Sequence, residues 1–160
     1  MKINKQDILA LIIAKLSADI SVCEQAVKIA RDTATHKDAM GSSRYETMGL
    51  EASYLAQGQG LRLLDLERSL AYFSQLKLSE NSNAIGLSSL IALRDEQGEE
   101  QLLWLGADAG GLKIYYGSTC ITVVTPKSPL GAELIGKVEG DELEVSIAGI
   151  ERCYEVCAVY

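Results

Sequence analysis

Residues 8–30 read ILALIIAKLSADISVCEQAVKIA. Within them Leu9, Ile13, Leu16, Ile20, Cys23, Val27 and Ala30 recur at alternating steps of four and three. That spacing keeps one apolar seam facing a partner helix and marks a left-handed coiled coil. Outward from the seam, Asn4 with Asp7 three residues later reads as a capping box at the start of the helix. The polar stretch Thr33–Ser42 interrupts the seam, with Gly41 as a stop. Ser43, Arg44, Tyr45 and Glu46 then read as a second capping box, with Glu46 answering the amide of Ser43. Beyond it Met48, Ala52, Leu55, Gln59, Leu63, Leu66, Leu70 and Phe73 form the answering stripe. Two long stripes joined by a short connection imply antiparallel helices over 5–33 and 43–76. With about 28 residues per arm and a rise of about 1.5 Å each, the rod is roughly 40 Å long. Gly58 and Gly60 weaken the second helix by about 1 kcal/mol each relative to alanine, and read as signs of close helix packing or a bend.

Further along, the period changes from about 3.5 to 2. Residues 78–85 form a polar linker between a helical hairpin over 1–77 and a β-rich domain over 86–160. Strands are expected at 90–94, 101–105, 112–116, 121–124, 142–147 and 153–159. Asp95 to Gly98 read as a turn, and 132–135 as a helical turn after Pro129. The fold class is therefore α+β, an antiparallel coiled-coil hairpin followed by a small β-rich domain.

Composition narrows the function classes. Apolar residues make up 48% of the 160, enough for a core, and no run approaches the roughly 18 apolar residues of a membrane span. Of the net charge of −7, residues 1–77 carry 10 basic against 9 acidic side chains, and residues 78–160 carry 5 against 13. A strongly acidic second half repels phosphates, so a protein partner is expected rather than direct nucleic-acid binding. Cys23, Cys120, Cys153 and Cys157 include no CxxC pair, and His36 is far from all four in sequence. They read as buried, reduced thiols of a cytoplasmic protein rather than zinc ligands. No nucleophile–base pair, phosphate loop or cofactor fingerprint is present, so no independent enzyme and no small-molecule substrate is expected.

The most specific stretch is TPKSPLGAELIGKVEGDELEV, residues 125–145. It resembles the signature of the C-terminal domain of the Gre transcript-cleavage factors, in which S-P-L-G, L-I-G-K and G-D-x-x-x-V recur in this order. Glu151–Val159 resembles that family's last strand, and Gly98–Gly106 its preceding hairpin. The resemblance is specific over 126–145 and architectural over 1–77. Taken residue by residue, Pro129, Gly131, Gly136 and Gly140 also read simply as fold-building residues that fix or free the backbone.

The resemblance implies an FKBP-like fold for the C-terminal domain and bacterial RNA polymerase as partner. It implies that the hairpin enters the polymerase's secondary channel, so that nucleic acid is met only indirectly, within the elongation complex. Acids at the tip would help the polymerase hold a Mg²⁺ at its active centre and promote cleavage of backtracked transcripts, with no cofactor bound stably by the factor itself. A hard cation of this kind takes carboxylate oxygens. The candidate catalytic and metal-holding residues are Asp38 and Glu46, the only acids between Asp32 and Glu51. Each has a plainer reading, Asp38 as a loop acid and Glu46 as a helix cap, and His36 reads as a solvated loop histidine. Glu51, further down the second helix, is a weaker candidate. The tip departs from the family, whose two acids stand three residues apart. Here they are eight apart, Lys37 precedes Asp38 and Arg44 falls between the two acids, and the family's acidic positions fall near Ser42 and Tyr45. Residues 110–125 are also longer than the family's usual approach to S-P-L-G and suggest an added strand pair or loop.

That divergence leaves open a second reading, a regulator that occupies the channel without supporting cleavage. A third is a binding module whose hairpin dimerises. The FKBP-like fold also raises prolyl isomerisation, which needs an aromatic pocket. Trp104, Tyr115, Tyr116, Tyr154 and Tyr160 are too scattered to suggest one.

Overall fold

The computed structural model describes residues 2–38, 43–78 and 82–160, the side chains of 35–38 and 43–46 excepted. Two long helices come first, α1 (Lys5–Asp38) and α2 (Ser43–Gln75). Asn4 caps α1, its Oδ1 accepting the Gln6 N–H at 3.0 Å. The helix runs five residues past the expected end at 33. Residues 33–38 lack glycine and proline, so polarity alone does not stop it, and Ala34 carries the buried seam one step further. At 34 and 33 residues the arms reach roughly 50 Å rather than 40.

Residues 13–74 form one of two compact units. The Cys23 thiol donates to the Gln59 carbonyl at 3.2 Å, which fixes the antiparallel pairing of α1 and α2. Buried positions of α1 are Leu16, Cys23, Val27, Ala30 and Ala34, spaced by seven, four, three and four. Ile20 is only half-buried. On α2 the seam differs from expectation, because Met48 and Leu55 are exposed while Gly49 and Ala56 are buried in their place. A stripe chosen by size overlooked the small residues that let two helices approach. Gly58 and Gly60 do not serve close packing of α1 on α2, since a Cβ at either would meet no atom of this chain within 4 Å.

The second unit joins Met1–Ile12 to Gln75–Tyr160. At the start of α1, Ile8 and Ile12 are fully buried, with Ile12 rather than Ile13 as the inward residue. The strands are β1 (Leu90–Asp95), β2 (Glu100–Leu105), β3 (Lys113–Tyr116), β4 (Thr119–Val124), β5 (Glu142–Ile147) and β6 (Ile150–Val159). They form one mixed sheet ordered β3-β4-β2-β1-β6-β5, antiparallel except where β4 runs parallel to β2. Residues 110–125 supply the β3–β4 hairpin, turned at Gly117 with φ +64°. One face carries Ile91, Leu93, Leu103, Leu105, Leu143, Val145, Tyr154 and Val156 in strict alternation. A short helix α3 (Pro129–Leu134) covers it with Leu134. Burying each of these large aliphatic side chains contributes about 1.5–3 kcal/mol. Ile85, before the first strand, joins this core and is stitched in by paired bonds: its N–H donates to Lys137 O, and Gly136 N–H donates to its O, both at 2.8 Å.

Candidate functional site

The motif segment 125–141 is built by its own side chains. The Ser128 hydroxyl donates to Thr125 O at 2.8 Å and accepts the Gly131 N–H at 3.0 Å, capping α3. Pro129 takes the first helical position, where a missing N–H costs nothing. Gly131 lies against the Thr125 carbonyl, where a Cβ would collide with the oxygen. Gly136 and Gly140 adopt φ of +81° and +91°, conformations open to glycine. Asp141 closes the next turn, its carboxylate accepting the Val138 N–H at 2.9 Å. The motif shapes a surface on which Lys127, Pro129, Ala132, Glu133, Ile135, Val138 and Glu139 are exposed. It mixes apolar and charged side chains, as protein-binding surfaces do.

The outer part of β1, β2, β5 and β6 is acidic. Glu142 stands opposite Glu155 and Glu144 opposite Cys153 in the β5–β6 register. Like charges directly opposed cost stability, and Arg94 offsets them through Glu100 Oε1 at 2.7 Å and Glu155 Oε2 at 3.4 Å. The hydrogen bond to Glu100 raises the already high Arg94 pKa. A hydrogen bond with Glu96 raises the Cys153 thiol, helped by burial and by the charges of Glu96, Glu144 and Glu142. Burial is the main cause that raises Cys157. The expectation of four buried thiols holds only for Cys23. Cys120, Cys153 and Cys157 are half-exposed, and all four are free. Among the described residues no three His, Cys, Asp or Glu side chains gather as a metal site.

Asp38 is the last residue of α1, and Glu46 is the fourth of α2. The helices thus bring both to the two sides of the 39–42 connection. Their side chains, and those of His36 and Tyr45, lie outside the described ones, and Ser42 lies outside the described residues. The capping-box reading of Ser43 and Glu46 falls there too. Glu51 is exposed on α2. The five aromatic side chains do not share one pocket: Trp104 is fully buried on β2, Tyr154 belongs to the sheet core and Tyr115 is 64% exposed, while Tyr116 and Tyr160 line an open groove with Val159 and residues 2–7. Sequence reasoning missed Thr125, whose carbonyl organises the motif; only its place just before Pro126 could have flagged it.

The fold is that of an α+β factor, a long helical hairpin followed by a six-stranded mixed sheet. Comparison with models of known families gives no match. The chain is 30% identical over 124 residues to transcription elongation factor GreA of Cereibacter sphaeroides, covering 78% of this chain and 76% of that protein. It is also 30% identical over 145 residues to transcription elongation factor GreA of Rhodospirillum rubrum, covering 89% and 84%. The crystal structure of GreA factor homolog 1 from Thermus thermophilus superposes with a TM-score of 0.39 at 24% identity, covering 94% of this chain and 95% of that one. The chain belongs to the GreA family of transcription elongation factors. Among the described residues no helix is long and apolar enough to cross a membrane.

Proposed function

We propose that this protein binds bacterial RNA polymerase in the cytoplasm, inserts its hairpin into the secondary channel and promotes cleavage of backtracked transcripts. Membership of the GreA family supports the partner. The observation that carries the mechanism is the placement of Asp38 at the end of one helix and Glu46 in the first turns of the other, with four residues between the helices. Acidic residues carried where the two helices adjoin their connection suit the retention of a hard divalent cation that the polymerase already holds in part. Mg²⁺ there stabilises the attacking and leaving oxygens of phosphodiester cleavage. The factor's own residues position charge, and the polymerase performs the chemistry, so the protein is an accessory factor and not an enzyme by itself. It meets nucleic acid only through the elongation complex.

Docking falls to the surface around Lys127, Pro129, Ile135 and Val138. Replacing Ile135, which is 50% exposed, by Glu places a charge on this surface without touching the core. Ile135→Glu is expected to lower affinity for core polymerase at least tenfold, measured by competition with a labelled parent. Unchanged affinity, with the fold intact by circular dichroism, would remove this surface from the docking reading. A second reading, a regulator that fills the channel without supporting cleavage, is favoured by one observation: Lys37 directly precedes Asp38 and Arg44 stands two residues before Glu46, so each acid has a cation close to it in sequence.

A further inference from the structure

Besides its buried seam, α2 carries a second apolar stripe. Leu50, Tyr54, Leu61 and Leu64 are 54, 66, 61 and 62% exposed. With Gln57 they step by four, three, four and three, the heptad spacing of a helix that packs on another helix. An open groove beside them is lined by Val27 and Ala34 of α1 and by Ser53, Ala56 and Gly60 of α2. The spacing is close to palindromic, with large apolar residues seven positions to either side of Gln57 and again three before and four after it.

We propose that this face is an interface with a second copy of this chain, α2 against α2, antiparallel about a twofold axis near Gln57. Three features argue for self-pairing. Size is complementary: Leu50 meets Leu64 of the second copy, and Tyr54 comes over Gly60, where the space for a Cβ is empty. Charge is complementary: the exposed Glu51 on the flank comes beside the equally exposed Arg62 of the second copy, and the pair occurs twice by symmetry. The antiparallel arrangement also opposes the two helix dipoles. Covering the four side chains on both copies removes roughly 1,000 Å² of surface, the lower end for a specific interface, so a weak, reversible dimer is expected, and micromolar concentrations are the range in which to look for it. On the function proposed above, a hairpin whose α2 face is covered by a second copy is not the free rod that enters the channel. The dimer is then a storage form that dilution or polymerase dissociates.

Sedimentation equilibrium of the full chain without polymerase tests this over roughly 1–200 μM. A reversible monomer–dimer equilibrium is expected. Leu61→Glu should leave a monomer with unchanged helical circular dichroism, since Leu61 is exposed. Glu51→Arg should weaken the dimer several-fold, and Glu51→Arg combined with Arg62→Glu should restore it, a recovery that non-specific association would not show. A parent monomeric at every concentration, as for a face reserved for another protein, overturns the proposal. So does a dimer that these variants leave unchanged. Because no polymerase is present, neither result depends on the channel reading.

Discussion

At Gly131 an added Cβ would stand 2.6 Å from the Thr125 carbonyl carbon and 2.9 Å from Ser128 Oγ, whereas at Gly58 it would meet nothing within 4 Å. The two glycines stand for two regions under different constraints. In the segment 125–141 a turn, a cap and a crossing carbonyl each dictate a residue type, so the string of letters is nearly a drawing of the structure. In the hairpin only the seam is dictated, and many sequences make an equally good rod. The first region therefore constrains its residue types more tightly than the second. The hairpin's end can accordingly diverge in charge while the fold stays recognisable.

The same substitution at the two sites should have opposite signs. Gly131→Ala is expected to destabilise the β-rich unit by about 3 kcal/mol or more, because backbone rather than a flexible side chain must move. Thermal unfolding followed in the β region should show a lowered midpoint and weakened polymerase binding. A midpoint within a degree or two of the parent would mean that α3 shifts freely, and the contrast would collapse. Ser128→Ala removes the cap and its bond to Thr125 O, and should cost about 1 kcal/mol in chemical denaturation. Gly58→Ala should stabilise the hairpin by about 0.5–1 kcal/mol, read as a raised midpoint of helix melting, since the helix gains alanine's propensity without a clash. A loss of stability there would show that Gly58 serves a bend or contact after all.

The smallest expected effect is chemical. Cys153 has a raised pKa, first through its hydrogen bond with Glu96. The neutral thiol is thus favoured in the folded chain. Its contribution to stability is present below the ordinary thiol pKa and lost as pH rises through the folded value. Alkylation of Cys153 near pH 8 should accelerate a few-fold in Glu96→Gln, because the thiolate is the nucleophile. An unchanged rate would show that Glu96 does not hold the proton.

Much of this molecule was legible before any coordinates. The change of period separated helices from strands, and Leu103, Leu105, Tyr154 and Val156 alternate inward as strand parity requires. Helix ends were legible only where a specific bond forms: Asn4 caps α1, though its side chain takes the Gln6 N–H and not the Asp7 N–H of the expected capping box, while the polar residues after Thr33 carry no stop. The seam of α2 was misread at Met48 and Leu55 because size drew attention away from Gly49 and Ala56, and contact between helices rewards closeness as much as bulk. The exposed stripe at Leu50, Tyr54, Leu61 and Leu64 lies one residue out of phase with the seam, so a reading that seeks a single stripe on α2 passes over it. At the tip, sequence identified Asp38 and Glu46 as the available acids, and the helices place them on the two sides of the connection. Their role is exercised in the elongation complex, outside the chain itself.

A transcript-cleavage assay on stalled elongation complexes probes that role. The parent protein should accelerate shortening of the backtracked RNA in the presence of Mg²⁺. Asp38→Asn and Glu46→Gln should each abolish the acceleration while leaving polymerase affinity nearly unchanged, since glutamine still serves a helix cap and only the charge is lost. If both variants stimulate cleavage as well as the parent, the tip acids have no part in the reaction. If the parent gives no stimulation but blocks cleavage by another Gre factor, the hairpin occupies the channel as a regulator and the proposed mechanism is contradicted.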